Sequence, residues 1–186
     1  MSDLQSALQG ARFDGYVSVF EAQPAGMIQL RADLAEDAVA HAVHRATGAT
    51  IPQPLGLSTG DRGEALWMAP DELLLRVLTD AIPELLADVQ DDLRDHHHLA
   101  LDVSAMRTEI RVEGAAVREV LAKVTPVDME TLKPGTVRRT RLAQVAAAIW
   151  LSNDETAHVL CFRSVATYVF DVLSVSARKG GEVGAF

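Results

Sequence analysis

Three consecutive histidines, His96-His97-His98, preceded by Asp95, are the side chains of this sequence best suited to hold a metal. Adjacent side chains on a strand point to opposite faces, so at most His96 and His98 converge, and no nearby cysteine completes a closed set. A solvated connector between a helix and a strand explains the run equally well. His41 and His44 stand three apart and can share a helix face, but they lack the HExxH spacing of a helical zinc site and read as exposed positions. The only cysteine is Cys161. Its apolar neighbours Val159, Leu160 and Phe162 describe a buried thiol, whereas a nucleophile needs a cation or helix end to lower its pKa. Asp71-Glu72 and Asp154-Glu155 look like two carboxylate pairs, yet one pair per hairpin tip is turn chemistry rather than an acid and a base acting together. Asp128 falls in a loop after a helix, where it would present a carboxylate to a ligand.

Composition narrows what these residues can serve. The chain has 186 residues, 48% of them hydrophobic, enough for a substantial core. With 17 Lys+Arg against 26 Asp+Glu, its net charge of −9 repels phosphate backbones, so no nucleic-acid partner is expected. No GxGxxG, P-loop, GxSxG or CxxC pattern occurs. A flavin or nicotinamide bound on this chain would need a phosphate-cradling glycine turn at a helix N-terminus, so no cofactor is expected here. The lone cysteine forms no internal disulfide, and Met1 to Phe13 lacks the basic start and apolar stretch of a secretory signal. Both point to the cytoplasm. The longest apolar run, Val145 to Leu151, is too short to cross a bilayer.

The elements that must position these residues announce themselves as a repeat. Leu66-Trp67-Met68-Ala69-Pro70-Asp71-Glu72 and Ile149-Trp150-Leu151-Ser152-Asn153-Asp154-Glu155 share a signature at an offset of 83, around the only two tryptophans. The same offset lays Leu85-Leu86-Ala87-Asp88-Val89 on Tyr168-Val169-Phe170-Asp171-Val172. An offset of 82 lays Ile28-Gln29-Leu30-Arg31 on Ile110-Arg111-Val112-Glu113. Two copies of one supersecondary unit follow.

Periodicity then predicts strands at Tyr16–Phe20 and Met27–Ala32, and a helix over Leu34–Thr47 with Asp33 as N-cap and Gly48 as its stop. A long Pro- and Gly-rich connection spans 49–63. Strands Leu66–Met68 and Leu73–Leu78, helix Ile82–Leu93 and strand Leu99–Val103 complete a βαββαβ order, that of a ferredoxin-like unit. The second copy reads as strand Thr108–Glu113, helix Ala115–Val124, strands Leu142–Trp150 and Ala157–Phe162, and a helix from Ser164 to Ala177. No closing strand follows, and Tyr16–Phe20 is the obvious donor. The expected organisation is a mobile arm over 1–14, a first unit over 15–104, a second over 105–178 packed with it as one compact domain, and a flexible tail over 179–186.

The order Asp102-Val103-Ser104, strand, Gly114, helix, Thr125-Pro126-Val127-Asp128, Leu132-Lys133-Pro134-Gly135 resembles the folate-binding aminomethyltransferases, the T-protein of glycine cleavage among them. With Trp67 to Glu72 and the overall length, the chain is most similar to the gamma subunit family of heterotetrameric sarcosine oxidase, over roughly Tyr16 to Ala177. The resemblance implies an α+β fold of two tandem ferredoxin-like βαββα(β) units and assembly with alpha, beta and delta subunits. The implied holoenzyme oxidatively demethylates sarcosine to glycine, produces hydrogen peroxide and passes the one-carbon unit to tetrahydrofolate. FAD, FMN, NAD and the folate would lie on alpha and beta, and zinc on delta, leaving this chain non-catalytic. Asp128 falls where the aminomethyltransferases hold a folate-contacting acid. The glycines expected on their next hairpin are replaced by Gln144-Val145-Ala146-Ala147-Ala148-Ile149, which makes Asp128 a remnant or loop brace. The rival expectations are an independent folate-binding transferase using Asp128, or a small-molecule regulatory module.

Overall fold

A computed structural model of the chain describes residues 5–186. In chain order come β1 (Arg12–Asp14), β2 (Ser18–Glu21), β3 (Gly26–Ala32), α1 (Asp37–Thr47), β4 (Leu57–Thr59), β5 (Gly63–Ala69) and β6 (Glu72–Val77). There follow α2 (Ile82–Asp92), β7 (His98–Asp102), β8 (Arg107–Glu113), α3 (Val117–Ala122), β9 (Val137–Leu142), β10 (Val145–Asn153), β11 (Thr156–Phe162) and α4 (Ala166–Ser176). The chain divides into a central unit, Ala25–Ala105, and a terminal unit that joins the residues up to Pro24 to Met106–Phe186.

The central unit holds a five-stranded antiparallel sheet in the order β4-β5-β6-β3-β7. Strand alternation sends Ile28, Leu30, Leu73, Leu75 and Ala100 to one face, where Val39, Val43, Val89 and Leu93 of the helical segments close a core. The helix α1 ends because Gly48 takes φ 74° and its N–H returns to His44 O at 2.7 Å, a left-handed cap that a Cβ would disfavour. Arg45 ties α1 to α2 through Asp88 at 2.9 Å and Asp92 at 2.7 Å. At the end of β7, Asp102 accepts from the N–H and hydroxyl of Ser104, whose Oγ accepts the Met27 N–H at 2.8 Å. This side-chain bracket joins the unit's first and last strands.

The terminal unit repeats that strand order with one addition, β1-β2-β8-β11-β10-β9, again antiparallel. Its core gathers Val19, Ile110, Val112, Val120, Leu121, Ile149, Leu151, Val159, Cys161, Val169 and Leu173. The strand β2 lies beside β8 with Val19 opposite Val112, the place a missing closing strand would take. It belongs to this unit and not to the stretch 15–104 in which sequence order had put it.

Pairing registers correct the repeat. The β5–β6 hairpin has Trp67 opposite Leu73 and a bulge before Ala69; the β10–β11 hairpin has Leu151 opposite Ala157 and a bulge before Asn153. The structural offset is therefore 84, and the helix starts Ile82 and Ala166 obey it as well. A one-residue slip exchanges the faces of a strand. Trp67, half-buried, packs on the helix-side core, whereas Trp150 is fully buried on the opposite face. The turns are Pro70-Asp71 and Asp154-Glu155, and Glu72 is a buried strand residue whose carboxylate accepts from Gln29 Nε2 at 3.1 Å.

Other boundaries move for local reasons. The Asp33 carboxylate accepts the Ala35 N–H at 3.0 Å in a side-chain turn, which delays α1 to Asp37. The helix α3 keeps only Val117–Ala122 of the expected Ala115–Val124. Leu142 closes β9, and Ala143, at φ 49°, turns the chain into β10. Both β4 and β9 escape the apolar pattern, the first inside the Pro- and Gly-rich connection and the second carrying Arg138, Arg139 and Arg141.

Both termini make hydrogen bonds among the described residues; residues 1–4 of the expected arm lie outside them. The Glu21 carboxylate accepts from the Ser6 hydroxyl and from the N–H groups of Ala7 at 2.7 Å, Leu8 at 3.1 Å and Gly10 at 2.9 Å. Arg163 donates to the carbonyls of Gln5 and Ser6. The expected flexible tail over 179–186 is clasped by Glu119, whose oxygens accept Val183 N–H at 2.9 Å and Gly184 N–H at 2.8 Å.

Candidate functional site

Asp128 sits in the loop between α3 and β9. It is exposed, and its Oδ1 accepts the Glu130 N–H at 3.0 Å while its carbonyl accepts the Thr131 hydroxyl at 3.2 Å. Met129 and Leu132 beside it are buried, and Arg118 donates to both of their carbonyls and, at 2.8 Å, to Asp154 at the β10–β11 turn. The carboxylate thus caps a loop that an arginine holds from beneath.

The three histidines do not converge. His96 Nδ1 approaches the Glu36 carboxylate, His98 Nδ1 faces the His96 carbonyl at 3.0 Å, and His97 is exposed. Among the described residues no group of three or more His, Cys, Asp or Glu side chains is placed to hold a metal. His41 and His44 are exposed on α1. Cys161 is buried, and burial pushes its thiol up to about 12, far from a nucleophile's range.

His97 and His98 instead line an open cleft of about 720 Å³ with Arg31, Asp33, Asp71 and Leu99. Arg31 and Asp71 pair at 2.7 Å on its wall. A second hollow of about 660 Å³ shares Asp33 and Pro70 and is walled by Ile51, Pro52, Pro54 and Trp67. Both lie in the central unit.

A buried polar array lies in the terminal unit, on the sheet face away from its helices. His158 is 6% exposed and Glu109 4%. His158 Nδ1 lies 2.7 Å from Glu109 Oε1, His158 Nε2 lies 3.1 Å from Ser152 Oγ, and the ring stacks on Trp150 at 4.7 Å and 5°. A carboxylate only accepts, so Nδ1 carries the proton and, in the neutral ring, Nε2 accepts from the Ser152 hydroxyl. Hydroxyl, imidazole and carboxylate in line can activate the hydroxyl; here the line also satisfies two buried polar groups that would otherwise be costly. Sequence reasoning missed it because its members are separated by up to 49 residues. The available signal was a histidine within the apolar run Ala157 to Phe162.

A model of the family described as "Sarcosine oxidase, gamma subunit family" matches residues 31–178. The chain belongs to the sarcosine oxidase gamma subunit family. Among its relatives, the sarcosine oxidase subunit gamma of Corynebacterium sp. (strain U-96) is 32% identical over 162 residues, 84% of this chain and 78% of that one. A relative of the same name from Corynebacterium sp. (strain P-1) is 32% identical over 123 residues, 64% of this chain and 60% of that one. In structure, a chain of the heterotetrameric sarcosine oxidase from Corynebacterium sp. U-96, solved with pyrrole 2-carboxylate, superposes with a TM-score of 0.82. That match has 25% identity and covers 93% of this chain and 94% of the other. The glycine cleavage aminomethyltransferase T of Bartonella henselae superposes at 0.67 with 10% identity, covering 90% of this chain and 48% of its own. At that identity the likeness is one of fold alone. Within the gamma subunit family fold, then, Asp128 occupies a braced loop and the buried His158 array a sheet face.

Proposed function

We propose that this chain acts as a non-catalytic assembly subunit of a heterotetrameric sarcosine oxidase. The observation that carries this reading is the agreement with a chain of that heterotetrameric enzyme over more than nine-tenths of both chains. In this reading alpha, beta and delta chains of the complex bind FAD, FMN, NAD, tetrahydrofolate and zinc. The assembled enzyme demethylates sarcosine to glycine with release of hydrogen peroxide and transfer of the one-carbon unit to tetrahydrofolate, and it works in the cytoplasm. The reading takes the two units as ferredoxin-like, supported by four strands of each sheet that follow the order 4-1-3-2 with β7 and β2 in the closing position, while β4, β9 and β1 are additions at the edges. A loop-capping Asp128, a core Cys161 and histidines that do not converge all support a structural role for the chain.

Two experiments test this. Co-expression with the three partner chains is expected to give one complex from which the chain cannot be omitted without loss of stability or turnover; a complex of unchanged stability and turnover without it ends the proposal. Calorimetry of the isolated chain with tetrahydrofolate is expected to be silent. Micromolar binding that disappears in Asp128→Ala would replace the assembly role with a folate-binding one.

A further inference from the structure

The repeat supplies an internal control for the His158 array. The pairing of His158 with Trp150 corresponds to that of Leu74 with Leu66 in the central unit, and Glu109, opposite Leu160, corresponds to Met27, opposite Arg76. Each hairpin has a bulge that leaves one residue with no residue opposite it, Met68 in the central unit and Ser152 in the terminal one. Met27, Met68 and Leu74 are apolar and buried. The same scaffold is thus built with apolar residues at all three places, and well-packed apolar residues in place of a buried ion pair are often neutral or stabilising. Folding alone does not call for serine, histidine and glutamate there.

What the terminal unit gains is a line of groups with graded access. Ser152 is exposed, whereas His158 and Glu109 are buried behind it. A bulge re-aims the side chains of its strand, and here the Ser152 Oγ meets His158 Nε2 at 3.1 Å. The stack on Trp150 fixes the plane of the ring, and Glu109 fixes its Nδ1 at 2.7 Å. Arg111, opposite His158 across the β8–β11 pair, brings its Nε to 3.3 Å from the same Glu109 oxygen. The carboxylate therefore has a permanent cation beside it, and Nε2 keeps its lone pair for the hydroxyl. A nucleophile within reach of a base that a third group orients is the arrangement that activates a serine.

We propose that Ser152 is a nucleophilic modification site that accepts an acyl group from an uncharged, activated ester. Its Oγ attacks the carbonyl carbon while the hydroxyl proton passes to His158 Nε2. The bond from Oγ to the acyl carbon forms, the bond from that carbon to the leaving oxygen breaks, and the proton on Nε2 moves to the leaving oxygen. A serine ester and a free alcohol result. Asp154 and Glu155, exposed beside Ser152, disfavour an anionic donor. Transfer stops at one acyl group per chain, so the site is independent of the assembly role.

The test treats the full chain with p-nitrophenyl acetate and reads the acetylated residues by peptide mass spectrometry. Ser152 is expected to acetylate about 100-fold faster than Ser164, an exposed serine outside the array. His158→Gln is expected to remove that advantage. Ser152→Ala, a change at an exposed position, is expected to abolish the label on that peptide with an unchanged circular dichroism melt. The ratio in the wild-type chain needs no variant: no label on Ser152, or labelling no faster than at Ser164, overturns the proposal even where His158→Gln fails to fold. Undiminished labelling of Ser152 in a folded His158→Gln chain overturns it as well.

Discussion

Glu109 and Glu119 are both glutamates 4% exposed, and they hold opposite kinds of partner. Glu109 accepts from a buried imidazole. Glu109→Leu removes that acceptor and is expected to cost about 3 kcal/mol, seen as a lowered urea midpoint, because one member of a buried pair is stranded. Adding His158→Leu should cost less than the sum of the two single changes. Glu119 holds the tail, and its carboxyl is pulled down to about 2, first by the Val183 N–H, against burial, with Tyr16, Lys123 and the Gly184 N–H assisting. A lowered folded pKa stabilises fully above the ordinary glutamate value of 4.5 and is lost as pH falls towards about 2. Stability measured across that window should fall less steeply in Glu119→Ala, and residues 181–186 of that variant should be cut readily at neutral pH. At this scale the sequence was legible where a residue's neighbours decided its fate: Cys161 among Val159, Leu160 and Phe162 is in the core. It was silent where the partner lies far along the chain, as for Glu109 and His158.

Between residues and whole units stands Arg118, which joins the loop after α3 to the β10–β11 turn. Arg118→Ala should cost about 2 kcal/mol by stranding two buried carbonyls, and amide exchange should quicken in 125–136 and 153–156. Asp128→Ala, by contrast, is an exposed change expected to shift stability by no more than about 0.5 kcal/mol. Met27–Ala32 was legible from its alternation and Ala157–Phe162 from its apolar run. The arginines of β9 hid a strand, because an edge can be polar without ceasing to pair. The tryptophan signature misled by a single residue: Trp, Asp and Glu agree at 83, but bulges and helix starts agree at 84, and a period-2 element turns that slip into a change of face.

For the molecule as a whole, chain order and spatial order disagree at one place. The first strand pair serves the last unit, so removal of residues 1–24 should expose β8, strip Val17 and Val19 from the core and leave protein that is insoluble or lacks near-ultraviolet circular dichroism. The loss should exceed what a terminal arm of that length would bring. Donation by Tyr16–Phe20 was foreseeable from a missing closing strand, whereas the clasps on both termini were not, since Glu21 and Glu119 show their purpose only when distant N–H groups reach them. One tryptophan stands in each unit, Trp67 half-buried and Trp150 sealed against an imidazole. Nature has thereby installed two separate optical probes: Trp67→Phe leaves fluorescence that reports the terminal unit alone, Trp150→Phe leaves the central one, and denaturation curves of the pair would reveal whether the halves melt together or in sequence.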